Sequence, residues 1–179
     1  MLAMPESLSG RPNLVLDTTV LSNFAMIGQV FLLEHLYRQH ACTALMVADE
    51  IQRGLASGYA QLQIVLDILS PLQPAGWLPV LSLESATEQA LYIELIASLG
   101  PGEAGCLALA IARKLTLASD DLAARRQAAQ RGVPLTGTIG ILIRLVREGH
   151  APLVVADRIL FQMIALDYRS PVEKLDTLI

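Results

Sequence analysis

Four carboxylates, Asp17, Glu50, Glu103 and Asp120, each stand where an apolar run ends or a helical pattern begins. No local turn gathers them, since they are spread over about a hundred positions. If the chain folds so that they meet at one edge of a sheet, they make a concentrated negative pocket. Like charges that close do not all stay ionised without a compensating cation. For all-oxygen ligands that cation is a hard divalent metal, Mg²⁺ or Mn²⁺. A metal held by carboxylates with open coordination positions is able to hydrolyse phosphodiesters.

Each acid taken singly also has a structural reading. Asp17 and Asp120 suit the N-caps of following helices. Glu103 complements a helix macrodipole, and Glu50 can pair with Arg53 three residues on. Asp120 and Asp121 divide two roles between them, ligand and cap, with Asp120 the preferred ligand.

The elements that must position these acids follow from the apolar pattern. Residues 13–17 read as a buried parallel strand ending in Asp17. A helical stretch runs from about Val30 to Arg38, a strand over 42–46, and a helix through Val47, Ile51 and Leu55 that stops at Gly58. A further helix is expected over 59–70, then a Pro- and Gly-bearing loop and a strand over 78–83. A long helix over 84–99 would offer Leu91, Ile93, Leu95, Ile96 and Leu99 as one broad apolar face. Pro101 and Glu103 open the next helix in the usual N-terminal arrangement. A strand over 115–119 leads into Asp120-Asp121. A helix over 121–131, a short strand over 133–136 and a helix over 137–149 follow, with stops at Gly132 and Gly149. Two short helices, divided near Ser170-Pro171, complete the chain. Strands alternating with helices predict a three-layer α/β/α sandwich around a mainly parallel sheet. Ligands of such sheets lie beyond the carboxyl ends of the strands, which is where Asp17 and Asp120 fall. The expected division is a lead-in over 1–11, an α/β domain over 12–149 and a helical extension over 150–179.

Composition narrows the function classes. The chain has 179 residues, 53% hydrophobic and 17% charged, enough for a full core. Mean hydropathy is +0.49, yet no apolar run approaches the ~20 residues of a membrane span. The N-terminal stretch has no basic region followed by an apolar one, so it does not read as a secretory signal. Cys42 and Cys106 lie inside apolar segments without metal-ligand spacing, which predicts free thiols and a cytoplasmic location. The net charge of −4 argues against indiscriminate coating of nucleic acid. The distribution is uneven, with 3 Lys/Arg against 10 Asp/Glu over 1–112 and 10 against 7 over 113–179. Arg113, Lys114, Arg125, Arg126, Arg131, Arg144 and Arg147 therefore form either solvated helix faces or a phosphate-steering surface. Of these, Arg125 and Arg126 lie about one turn past Asp120, where they are placed to meet phosphates.

Nucleotide-cofactor and acyl-transfer chemistry lack their motifs, with no GxGxxG, Walker A or nucleophile elbow. His35, His40 and His150 are isolated in the sequence and read as surface or structural residues. A phospho-aspartyl phosphatase would place a second Asp where Thr19 stands. A receiver domain would carry its acidic pair after the first strand instead of the late one preceding Asp120.

The stretches LVLDTTVLSNF, VADEIQRG, GPGEAGCLALA, LASDDLAARR and LTGTIGIL, in that order and spacing, resemble a PIN-domain nuclease. The likeness covers residues 13–149 and is strongest to the bacterial and archaeal branch related to VapBC toxins. It implies that Asp17, Glu50, Glu103 and Asp120 are the metal-binding acids for Mg²⁺ or Mn²⁺. Glu103 departs from the Asp common at its place. Thr138 matches a position near the metal able to orient water or phosphate, and Thr18 and Asn23 match polar positions beside the first Asp. The implied activity is metal-dependent endoribonuclease, with RNA as substrate, an antitoxin protein as partner and a homodimer as assembly. The reading from another class is a catalytically silent PIN-like module that binds RNA or protein.

Overall fold

The computed structural model describes residues 12–179; the expected lead-in over 1–11 lies outside the described residues. Six strands form one sheet in the order β3-β4-β2-β1-β5-β6, and every pairing is parallel. The strands are β1 (Leu14–Leu16), β2 (Ala41–Ala44), β3 (Leu69–Ser70), β4 (Leu78–Leu81), β5 (Thr116–Ala118) and β6 (Leu135–Thr136). They are short and buried on both faces at the centre, where β1 reads Leu-Val-Leu without alternation. Helices cover both faces: α1 (Thr18–Met26), α2 (Val30–Tyr37), α3 (Leu45–Ala56), α4 (Gln63–Ile68), α5 (Ala86–Leu95), α6 (Pro101–Arg113), α7 (Leu122–Gln130), α8 (Thr138–Arg147) and α9 (Leu153–Ala165). This is the expected three-layer sandwich.

The chain builds outward from β1 in one direction through β2, then returns to the other side with β5 and β6. The sheet therefore divides at β1 and β5, which pair from Leu14↔Thr116 to Leu16↔Ala118. At such a reversal the helices following the two strands depart to opposite faces and leave a crevice at the strand ends. Asp17 and Ser119-Asp120 are the residues that emerge there. Beneath them Leu16, Phe24, Leu107, Leu117 and Ile141 are fully buried. Helix α6 lies close over the sheet because Gly102, Ala104, Gly105, Cys106, Ala108 and Ala110 are small and buried.

Several elements differ from the sequence reading. Residues 18–26, given no element there, form α1, which Asp17 caps by accepting from Thr18 N. The strand expected over 42–46 ends at Ala44, because Leu45 already begins α3. The helix expected over 59–70 is a 3-10 turn at Ala60–Leu62 followed by α4; Leu69–Ser70 then joins the sheet against Leu78 and Pro79. Pro71 forces its predecessor Ser70 towards an extended backbone, and the sheet edge takes it up. The helix expected over 84–99 spans only Ala86–Leu95. Its inward stripe is Glu88, Leu91, Leu95 and, just past its end, Leu99, whereas Ile93 is 70% exposed. Two residues from Leu91 is about 200° around a helix, so Ile93 cannot share that face. Only one of the two expected C-terminal helices forms, α9; the tail beyond it is pinned by Leu175, which is fully buried and whose amide donates to Asp157 at 2.8 Å. The stops at Gly58, Gly132 and Gly149 hold, each at positive φ. Cys42 and Cys106 are free and buried as expected.

Candidate active site

Asp17 leaves the end of β1 with no solvent exposure. Its carboxylate accepts from Ser119 Oγ at 2.7 Å, Thr18 N at 2.7 Å and Thr19 Oγ1 at 3.1 Å. These three donors favour the ionised form, yet burial outweighs them, and the nearby Glu103 adds repulsion: the group is pushed up to about 7. Asp120, at the end of β5, is held from several sides. Asn23 Nδ2 donates to it at 3.0 Å, Thr138 N at 3.0 Å and Tyr168 OH at 3.3 Å, and the Thr138 hydroxyl donates as well. Thr19 links the two acids, since its hydroxyl accepts from Asp120 N at 3.0 Å while donating to Asp17.

Glu50 and Glu103 come from helices on the other side of the crevice. Glu50 sits on α3, and its carboxylate accepts from Gly102 N at the start of α6 at 2.8 Å and from the Thr18 hydroxyl. The Arg53 pairing considered from sequence does not form; Arg53 Nε donates instead to the Asp49 carbonyl. Glycine at 102 is required by this close approach, because a Cβ there would stand 2.2 Å from Glu50 Oε2 and 2.9 Å from Thr18 Oγ1. Gly137 does the same for Asp120, where an added Cβ would be 2.5 Å from Oδ1. Glu103, in the first turn of α6, is held above the usual carboxylate range by burial first and by the charge of Glu50 next.

The result is a cavity of about 550 Å³ lined by Glu50, Glu103, Asp120 and Asp121, with Thr18 and Asn23 among its polar walls. Asp17 lies buried behind that lining, and Thr138 is buried behind Asp120. Asp121 caps α7 by accepting from Ala124 N at 2.7 Å. None of the four principal acids takes part in an ion pair among the described residues. They thus have no direct cationic partner, and their hard oxygen donors suit a divalent cation. Among the described residues, no three carboxylates, imidazoles or thiols stand together as a group able to hold a metal. The carboxylates are instead spent on Thr18, Gly102, Asn23 and Thr138, bonds that a cation would have to compete for.

The two basic residues expected to meet RNA separate. Arg125 Nη1 donates to the carbonyls of Ser119 and Thr136, both at 2.8 Å, and so ties β5 to β6 below the site. Arg126 is exposed and lines neither this cavity nor the one beside it. Sequence reasoning missed Asp167, Tyr168 and Arg169, which line the cavity from beyond α9. Asp167 adopts φ 68, a left-handed conformation available to Asp, and turns the chain back across the strand ends. No periodicity marks that segment, so packing of α9 alone delivers it. The histidines read as isolated are not all so: His35 Nε2 and His150 Nδ1 are 2.9 Å apart, remote in sequence but brought together by α2 and the end of α8.

Comparison with known proteins gives a family match and several structural likenesses. A family model described as "DUF3368: PIN domain" matches residues 13–179. No curated protein matches. The crystal structure of PAE2754 from Pyrobaculum aerophilum is similar with a TM-score of 0.51 and 15% identity, covering 81% of this chain and 99% of that one. VapBC2 from Rickettsia felis, bound to a DNA fragment from its promoter, gives 0.47 and 19%, covering 69% and 97%. FitAcB from Neisseria gonorrhoeae gives 0.44 and 16%, covering 68% and 95%.

Proposed function

This chain belongs to the PIN-domain family, and we propose that it is a metal-dependent endoribonuclease whose site is the acidic cavity at the ends of β1 and β5. The observation that carries the reading is convergence. Glu50, Glu103 and Asp120, from α3, α6 and the end of β5, line one cavity with Asp17 buried behind it. None of the four is in an ion pair among the described residues, and burial drives Asp17 and Glu103 towards protonation. A stable fold gains nothing from that arrangement by itself. Asp17, Glu50, Glu103 and Asp120 would hold one or two Mg²⁺ or Mn²⁺ ions. When bound, such an ion lowers the pKa of its water and offsets charge on the leaving oxygen.

The chain's own residues do the remaining work. Thr19 keeps Asp17 and Asp120 in register, while Asn23 and the Thr138 hydroxyl and amide fix the Asp120 carboxylate. Thr138 at the start of α8 also lies where the helix amides favour negative charge, which suits a phosphate. Thr18 holds Glu50 from below. No histidine is required for proton transfer in this scheme.

RNA as substrate rests on the motif likeness, as does an antitoxin protein for a partner. A homodimer built on helical faces is supported by Val154 and Phe161 of α9, 65% and 70% exposed. Among the described residues no helix is long and apolar enough to cross a membrane, and we place the protein in the cytoplasm. Calorimetric titration with Mn²⁺ tests the core of the reading, alongside cleavage of single-stranded RNA by purified protein. Absence of any divalent-ion binding would leave a silent PIN-like binding module in its place. Sedimentation as a clean 19.3 kDa monomer at micromolar concentration would reject the dimer.

A further inference from the structure

A second cavity of about 520 Å³ opens beside the acidic one, and Asp120, Leu122, Tyr168 and Arg169 line both. The character of the lining changes across that shared wall. On the first side five carboxylates face the space: Glu50, Glu103, Asp120, Asp121 and Asp167. On the second, Asp120 is the only carboxylate, joined by Arg125 and Arg169 and by the apolar side chains of Leu135, Ile139 and Ile143. The volume falls within the ~300–1,000 Å³ of pockets that enclose small ligands.

We propose that this second cavity is a nucleobase subsite, taking the base of a nucleotide adjacent to the scissile phosphate. The proposal rests on the ribonuclease reading of the acids and adds to it where the strand is gripped. Unstacked bases of single-stranded RNA are bound by aromatic rings, guanidinium planes and apolar walls. Tyr168 and Arg169 supply the first two here, and Ile139 and Ile143 of α8 the third. The fall from five carboxylates to one along the crevice fits the same strand. A metal-binding acidic side receives the phosphate to be cut, while Arg169 meets the next phosphate. Arg125 cannot swing to do so, since both carbonyl bonds of its Nη1 hold it in the wall. An apolar side chain of a partner peptide would find the same walls, but Arg169 and a wall shared with the acidic cavity favour a ring that carries an anion. Tyr168 lines both cavities, and its hydroxyl donates to Asp120 at 3.3 Å.

The test uses single-stranded RNA with one abasic nucleotide moved position by position along the sequence, and wild-type protein with Mn²⁺. One position next to the cut should raise KM about five- to a hundredfold when abasic, the loss expected for one stacked base. Ile139→Trp, which narrows the cavity at its apolar wall, should raise KM for intact RNA similarly and add little on RNA abasic at that position. Equal losses by Ile139→Trp on intact and abasic RNA, or no abasic position that matters, overturn the subsite while cleavage by wild type leaves the ribonuclease reading standing. Intact RNA cut equally well by Ile139→Trp also overturns it and leaves those walls to a peptide side chain. RNA neither bound nor cut by wild type overturns the ribonuclease reading and the subsite together.

Discussion

Glu88 and Asp17 are both buried carboxylates at helix starts, 4% and 0% exposed, and they differ in whether a cation stands beside them. Glu88 stands in a capping box at the start of α5, accepting from the amides of Glu84 and Ser85 at 2.7 and 3.0 Å. Arg113 Nε closes on it at 2.6 Å, and that bond, outweighing burial, pulls Glu88 down to about 2. Asp17 has hydroxyl and amide donors but no cation, and rises to about 7. A carboxylate serving the fold is thus neutralised by a cation beside it, whereas Asp17 has none and its charged form is disfavoured by burial. Uncompensated buried charge is costly, and its persistence marks a ligand-binding role.

The largest effect that could break this contrast is on turnover. Asp120→Asn keeps the size of the side chain and one of its two acceptor oxygens while removing a ligand charge, so single-turnover RNA cleavage with Mn²⁺ should fall by several orders of magnitude. Cleavage at the wild-type rate would assign any activity to another site.

Stability should move in opposite directions at the two residues. Glu88→Gln should cost about 2 kcal/mol, below the ~3–5 of a fully enclosed pair because the Arg113 side chain is 29% exposed. Asp17→Asn should instead raise the melting temperature of metal-free protein at pH 7.5, roughly 2–4 °C for each kcal/mol gained. Calorimetry in chelator reads both, and a loss of stability for Asp17→Asn would show that its hydrogen bonds outweigh its charge.

The pH dependence carries the same signs. The Asp17 shift is upward from 3.8, so its destabilisation is absent at low pH, grows as pH rises through that range and is complete above about 7. The Glu88 shift is downward from 4.5, so its stabilisation is full above that value and is lost as pH falls towards about 2. Metal-free protein should therefore be most stable between these limbs, near pH 4–5, and Asp17→Asn should move that maximum upward. A denaturation series across pH with both variants checks it.

A smaller effect sharpens the contrast from the backbone side. Gly102→Ala should push the Glu50 carboxylate, the nearest clashing group and the end of a flexible side chain, off the α6 amide and displace the Thr18 hydroxyl. Mn²⁺ affinity should drop about tenfold, in the range seen when partners that orient metal ligands are lost. The smallest change is expected for Arg126→Ala, which should reduce the salt slope of RNA binding by about one. An unchanged slope would make Arg126 a solvated position only.

Much of this molecule was legible in the amino-acid order. Apolar runs without alternation gave buried parallel strands, and glycines at 58, 132 and 149 ended helices because those turns need positive φ. Asp17 and Asp120 could be placed at strand ends because an α/β sheet puts its crevice there. The resemblance to PIN domains, carried by ordered local motifs, agrees with the family match over 13–179.

Tertiary structure alone decided the rest. Which donors hold Glu50 depends on α3 meeting the start of α6, a contact between residues 52 positions apart that no spacing reveals. Arg113 became a partner for Glu88, and Arg125 a brace across two strands, through approaches of whole elements. Leu69–Ser70 became a strand because a neighbour offered unpaired backbone. Asp167, Tyr168 and Arg169 reached the crevice because α9 packs on α8 and α1 and the chain then turns back. Local order fixes backbone preference and the pattern of burial. Charge compensation depends on distances between segments remote in sequence, which are set only when the packed layers close.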